Sequence, residues 1–395
     1  MFRKKNRHTN PHVCLFAGIL LSMLVACSQP SSGEPDSPGY EPRCYLGITI
    51  DLGNAGSTRG NNTTDPDFPK DGVGAENYID LLKWDYRVYL FSEDGKYIAQ
   101  LSQPKDNADF NIAFGEEGGL SHQYYVTFRL DKLIKDVYKK RQTLKVLMLA
   151  NWGMDNYADP EKLIPGETTI EKLIASTDTK GEFDPAMPVS GNNPIPFYGV
   201  QTYREILFQG GINEIYDPPL NLLRAFAKIE VYDAEATTRP IRGVTLTRYN
   251  KNYCKAPADL VNPTSTPDAV NLMSPEETGT DIKLFKRGDD GHFVIYVPEY
   301  RNRDIDGNAD VNAARLSLDY GDADTGYADK YMIDFKYYSG NEEGKYYDLI
   351  RNYWYKFEVS RKKNEINLEA DVLPYLNVDL EPEFGIKKSD SGSGS

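Results

Sequence analysis

Short stretches of alternating apolar and polar residues dominate the chain. Residues 44–52 place Cys44, Leu46, Ile48, Ile50 and Leu52 on one face, the period of a half-buried strand. Trp84, Tyr86, Val88 and Leu90 repeat the pattern, and Glu93-Asp94-Gly95-Lys96 is a turn signal that folds the run back onto 97–101 as a hairpin. Tyr124, Val126, Phe128 and Leu130 alternate again, and 144–150 is a continuous apolar strand. A short helical turn is expected at 76–82. Between 151 and 211 the period is lost, so loops are expected there, with one helix near 169–175. The second half predicts strands at 222–232, 241–249, 292–297, 315–320, 331–337, 353–360 and 366–372. Leu376, Val378 and Leu380 make a last alternating strand. Residues 53–74 have no hydrophobic period. They are Gly, Asn, Thr, Asp and Pro with the lone basic residue Arg59 in the first part, the composition of an exposed loop that proteases cut. Many short strands, frequent turns and few helices predict an all-β chain of two antiparallel β-sandwich domains in tandem, 44–220 and 221–386, with a disordered Ser/Gly tail at 387–395. No helical-repeat or solenoid period is present.

The first residues follow a different plan. Arg3, Lys4, Lys5, Arg7 and His8 precede an apolar run at 13–25, which Leu24-Val25-Ala26-Cys27 closes. This is the layout of a secretory signal peptide. The run is shorter than the roughly 20 residues that cross a bilayer. Leu-Val-Ala-Cys also looks like a bacterial lipobox, in which Cys27 is lipidated and becomes the first residue of the mature protein. The expectation is therefore an exported lipoprotein, with 28–43 as a Ser/Pro/Gly-rich acidic spacer between lipid and fold.

A net charge of -14 repels phosphate backbones and argues against nucleic acid as a partner. The 28 tyrosines, 24 prolines and 32 glycines fit strands and turns rather than helix bundles. Cys14 and Cys27 fall in the signal, which leaves Cys44 and Cys254, with no zinc-type spacing. Sequence separation alone does not tell whether that pair forms a disulfide. Catalysis finds little support: His122 and His292 read as surface or edge residues beside strands, and no nucleophile elbow, zinc-protease or phosphate-loop motif occurs. The best metal candidate is Asp304-Ile305-Asp306-Gly307-Asn308-Ala309-Asp310-Val311-Asn312. Ala309 stands where a calcium loop needs glycine and Arg315 where it needs an acid, so a solvated acidic loop is expected, with no metal and no cofactor. Tyr346-Tyr347 and Tyr353-Trp354-Tyr355 offer aromatic faces for sugars, but alternate packing explains them more simply: Tyr353, Tyr355, Phe357 and Val359 inward, Trp354 to the other side.

Several segments together resemble the fimbrillins of Bacteroidetes, the type V pilins. They are the lipobox at Cys27, the early strand, Arg59 in its loop, and Glu76-Asn77 leading into the Trp84 strand and its hairpin. Leu147-Met148-Leu149-Ala150-Asn151, Ile195-Pro196-Phe197-Tyr198-Gly199 and Arg224-Ala225-Phe226-Ala227-Lys228-Ile229 follow, then Tyr296-Val297-Pro298-Glu299 and Arg351-Asn352-Tyr353-Trp354-Tyr355. The final strand departs from the family, which often ends it on Trp where this chain has Val372-Leu373-Pro374-Tyr375 and further residues.

The resemblance implies transthyretin-like sandwiches and a mode of assembly. A trypsin-like maturation protease would cut between Arg59 and Gly60. The first strand, with Leu46, Ile48, Ile50 and Leu52, would then leave. A terminal strand of another fimbrial subunit, around Leu376, Val378 and Leu380, would fill the groove. The precursor would sit at the outer membrane through lipid on Cys27, and the polymer would serve adhesion or biofilm formation at the cell surface. Refilling such a groove restores main-chain hydrogen bonds and buries alternate side chains. Four or five large apolar residues contribute roughly 6–15 kcal/mol gross, enough to drive polymerisation without nucleotide. Two other readings remain open from sequence: a monomeric surface lipoprotein that binds polysaccharide, and a fimbrial anchor that keeps its first strand. The resemblance leaves the choice among stalk, tip and anchor open.

Overall fold

The computed structural model describes residues 44–51, 79, 85–101, 112–114, 123–130, 141–190, 193–208, 211–234, 240–263, 278–287, 291–322, 327–338, 343–362 and 365–374. Residues 43–395 form one compact unit. In chain order the first strands are β1 (Cys44–Asp51), β2 (Tyr86–Ser92), β3 (Tyr97–Leu101), β4 (Ile112–Phe114), β5 (Gln123–Leu130) and β6 (Arg141–Ala150). Then come a helix (Ile170–Ala175), β7 (Lys180–Glu182), β8 (Phe197–Leu207), β9 (Gly211–Asn221) and β10 (Leu223–Arg224). Two sheets hold most of these, in the orders β4-β5-β1-β9 and β10-β8-β6-β2-β3. They share a core: Leu46 and Leu220 from the first sheet meet Tyr86, Val88, Leu90, Val146, Met148 and Phe197 from the second.

The second half continues with β11 (Phe226–Asp233), β12 (Gly243–Asn250), β13 (Asn252–Cys254), β14 (Thr278–Lys283), β15 (Phe285–Arg287) and β16 (His292–Pro298). It closes with β17 (Arg315–Asp322), β18 (Tyr327–Asp334), β19 (Tyr353–Lys362) and β20 (Glu365–Pro374). Its sheets run β15-β16-β11-β19-β20 and β14-β12-β17-β18. Ala227, Ile229, Val231, Phe293 and Phe357 of one pack against Val244, Leu246, Leu316 and Leu318 of the other. The fold is all-β and sandwich-built.

The two halves are the same arrangement used twice. β4-β5-β1-β9 maps onto β15-β16-β11-β19, and β3-β2-β6-β8 onto β14-β12-β17-β18. Pairing directions agree as well: β1 and β11 each lie antiparallel to one neighbour and parallel to the other. Each half therefore has its first strand inside a sheet, not at an edge.

Local chemistry explains the elements. Gly95 takes φ +77 at the predicted hairpin, where a side chain is disfavoured, and its N–H donates to Ser92 O at 2.9 Å. The Thr169 hydroxyl caps the helix by accepting from Lys172 N at 3.3 Å. β6 is apolar at consecutive positions because it is covered on both sides: Val146 and Met148 face the core between the sheets, while Leu147 and Leu149 face a second cluster with Trp152, Leu173, Ile174 and Ala256.

The structure corrects the expectation of loops through 151–211. β8 runs for 11 residues there and leads into β9, also of 11 residues. Gln201, Thr202, Arg204 and Glu205 hide β8, and Pro218-Pro219 hides β9. The turn expected at 76–82 lies outside the described residues except Ile79, which is buried in the first core.

Candidate functional site

The seat of β1 is the site that the sequence argument singled out. Cys44 to Asp51 pair residue for residue with Leu130 to Gln123 of β5. On the other flank β1 runs parallel to β9, Cys44–Ile48 opposite Gly211–Ile215. That ladder then breaks, and resumes only at Ile50 opposite Leu220 and Asp51 opposite Asn221. Pro218 and Pro219 fall in the break, and proline has no N–H to give a neighbouring strand. Leu46 is 0 % exposed and belongs to the core between the sheets. β1 is thus an interior strand that contributes to the apolar interior.

The backbone of β1 places Leu46, Ile48 and Ile50 at alternate positions, so they share one face. Cys27, Leu52, Arg59, Gly60, Leu376, Val378 and Leu380 lie outside the described residues, as does His122. Cys254 is a free thiol, half-buried on β13 opposite Lys180.

His292 departs from the surface or edge placement expected of it. It sits on β16 between β15 and β11, with Nδ1 3.3 Å from Glu230 Oε1 and its ring against Tyr232. Among the described residues no three His, Cys, Asp or Glu side chains gather as a metal site would need. In the acidic loop, Asp304 Oδ1 instead accepts from the N–H groups of Asp306 (3.0 Å) and Asn308 (2.8 Å). Tyr353, Tyr355, Phe357 and Val359 are core residues, and Trp354 is buried on the opposite face with Lys228 Nζ 4.5 Å above its ring.

The later motif residues converge where the two halves meet. Asn352 Oδ1 accepts from Arg224 N (3.2 Å) and Arg224 Nη1 (3.1 Å), and Asn352 N donates to Phe226 O. Arg351 is buried; its Nη2 bonds Glu299 Oε2 at 2.7 Å and Cys254 O at 3.1 Å. The Glu299 charge holds the Arg351 guanidinium above its usual value despite burial. Asn151 Nδ2 donates to Ile195 O, and Ala225 N donates to Pro196 O. These residues tie separate chain segments to one another; they are joinery.

Sequence reasoning missed a further part of that joinery. Residues 251–263 reach from the second half onto the first. β13 pairs with β7, Lys255 Nζ donates to Trp152 O and Asp178 O, and the Tyr198 hydroxyl bonds Leu260 O. Burial depresses the Lys255 ammonium below its usual value. A Cβ on Gly181 would collide with the Tyr253 ring, which packs edge-on against Phe226 at 4.7 Å. The signal for this strut was weak: three strand residues and a run of Pro, Ala and Asp.

No protein-family model matches the chain, and no curated protein matches it. Solved structures of similar shape do exist. The tip fimbrial protein Mfa3 of Porphyromonas gingivalis, with a C-terminal truncation, aligns at a TM-score of 0.48 and 14% identity over 84% of this chain and 100% of that one. A fimbrilin (fimA) of Porphyromonas gingivalis W83 aligns at 0.41 and 12% identity, over 85% and 98%. A putative cell adhesion protein of Bacteroides uniformis aligns at 0.41 and 9% identity, over 88% and 100%.

Proposed function

We propose that this chain is a structural subunit of a cell-surface fimbria, exported as a lipoprotein and polymerised by exchange of its first strand. The observation that carries the reading is the interior position of β1, paired with β5 and β9 and supplying the fully buried Leu46. A strand in that position leaves both backbone ladders and an apolar trench when it departs, so another strand is needed to close the sandwich. The connection that follows β1, residues 52–85, carries Arg59 as the cleavage point for a trypsin-like protease. In this proposal Cys27 carries the lipid that holds the precursor at the outer membrane. Leu376, Val378 and Leu380 of a neighbouring subunit supply the incoming strand. The subunit is two sandwich domains divided near residue 220, it works without catalysis or cofactor, and its setting is adhesion or biofilm formation.

Limited trypsin treatment of the purified precursor, followed by a native gel and N-terminal sequencing, tests the reading. A clip between Arg59 and Gly60 followed by a ladder of oligomers is expected. Arg59→Ala removes the ladder and leaves the melting temperature unchanged. A protein that is cut there and stays monomeric, with β1 retained, overturns the exchange.

A further inference from the structure

We infer that a cleft at one end of the second sandwich is a binding site for an acidic saccharide, a sugar carrying both a carboxylate and ring hydroxyls. The cleft has a volume of about 460 Å³, and Arg248, Tyr300, Arg301, Asp304, Ile305 and Asp310 are among the residues that line it. That size is within the range of small-molecule clefts. The inference is independent of strand exchange.

Charge selects the ligand. Arg248 and Arg301 line the cleft together with Asp304 and Asp310, yet among the described residues no carboxylate lies within 4.0 Å of either arginine. Arg301 spends its Nε on Arg303 O at 3.1 Å, which leaves its terminal nitrogens. The Arg248 side chain, on β12, has no hydrogen-bond partner among the described residues. Unpaired guanidinium groups favour a carboxylate, which they can grip through two parallel bonds. The aspartates exclude a ligand that is anionic all over, such as an acidic peptide, and instead accept hydrogen bonds from hydroxyl groups. Each keeps a free oxygen for this: Oδ1 of Asp304 serves the loop backbone, and Oδ1 of Asp310 accepts from Asn312 N at 2.7 Å. Ile305, 92 % exposed, offers the apolar contact that the C–H face of a sugar ring needs.

The walls are built before any ligand arrives. Tyr300 donates its hydroxyl to Asn312 O at 2.8 Å, and Asp310 N donates to Asn302 O at 2.7 Å. Asn302 is fully buried; its N–H donates to Asp348 Oδ1 and its Oδ1 accepts from Ala314 N. A loop fixed in this way loses little conformational freedom on binding.

Calorimetric titration of the whole chain with glucuronate and with galacturonate tests the inference. Glucose (hydroxyls without charge), succinate (charge without a ring) and poly-glutamate are the comparison ligands. Saturable binding of the uronates is expected, with glucose and succinate weaker by roughly tenfold or more. Arg248→Ala lowers uronate affinity by roughly tenfold, and Asp310→Asn, which keeps the acceptor for Asn312 N, weakens it less. Unchanged melting temperatures show that both variants fold. No saturable uronate binding, equal binding of succinate, tighter binding of poly-glutamate, or indifference to Arg248→Ala overturns it.

Discussion

β1 and β11 hold equivalent positions in the two halves of the molecule, and they are held very differently. Each is the first strand of its sandwich and lies inside a sheet between an antiparallel and a parallel neighbour. The parallel ladder of β11 is unbroken, from Lys228 opposite Trp354 to Asp233 opposite Val359. The matching ladder of β1 breaks at Pro218-Pro219. Both ends of β11 are tied: Arg224 to Asn352 just before it, and at its last residue Asp233 Oδ2 accepts from Ile241 N at 2.7 Å. Its two faces are buried, Ala227, Ile229 and Val231 on one side and Phe226, Lys228 and Glu230 on the other. The connections differ too: residues 234–242 separate β11 from β12, whereas 52–85 separate β1 from β2. One topology therefore serves as a fixed keystone in one half and, in our proposal, as a removable insert in the other. In that proposal, retention depends on what flanks the strand.

The largest effect expected is on the keystone. Val231 is 0 % exposed, and Val231→Asp puts an unpaired carboxylate into the second core. The cost is about 3–5 kcal/mol or more, a large part of the roughly 5–15 kcal/mol that holds a domain together. Loss of the cooperative thermal transition by circular dichroism checks it. Leu46→Ala comes next. It should destabilise the uncut chain by about 2–5 kcal/mol in urea. The same change should leave the assembled polymer as resistant to urea as wild type, because β1 is no longer part of it. A polymer weakened as much as the precursor would mean that β1 stays, and the contrast between the two strands would fail.

Alternation in the sequence made both strands legible, because each presents one face to a core at every second residue. Their equivalence was not legible. Nothing in 44–52 resembles 226–233 beyond that period, and a shared topology is set by pairing partners that lie far away in sequence. The parallel partner of β1 carries no strand signal in the sequence, since Gly211–Asn221 contains two adjacent prolines and charged residues at 214 and 217. β8 was missed because polar residues fill its middle. Of the proposed site, the displaced strand and its buried Leu46 were readable. The weak flank was not, because a bulge opposite a proline pair is a property of two strands together. The His292 placement failed for a similar reason: a charged partner, Glu230, lets a histidine sit inside a sheet.

Two smaller predictions sharpen the comparison. Replacing Pro218 and Pro219 together with alanine returns two N–H donors to the flank of β1. At about 1 kcal/mol for a recovered hydrogen bond, release of the cut strand should slow several-fold. The rate of ladder growth after trypsin addition reads this directly; an unchanged rate would remove the proline break from the account.

The smallest effect concerns two buried tyrosines, one in each core. Tyr355 donates its hydroxyl to Asp348 O at 2.6 Å and accepts from Ile350 N at 2.9 Å. Tyr203 is as deeply placed, yet its hydroxyl has no partner among the described residues. Tyr355→Phe should therefore cost about 1–3 kcal/mol, while Tyr203→Phe should be neutral or gain up to about 1 kcal/mol. Burial raises the Tyr203 phenol above the usual value of 10.0, so the native state keeps its proton longer than the unfolded chain does. Its contribution is complete below pH 10.0 and is lost as pH rises above that through the raised native value, because there the unfolded chain ionises first. Tyr203→Phe should flatten this alkaline fall in urea midpoints measured across the range. A steeper fall, or a clear loss of stability at neutral pH, would show that the first core depends on this hydroxyl as the second depends on Tyr355.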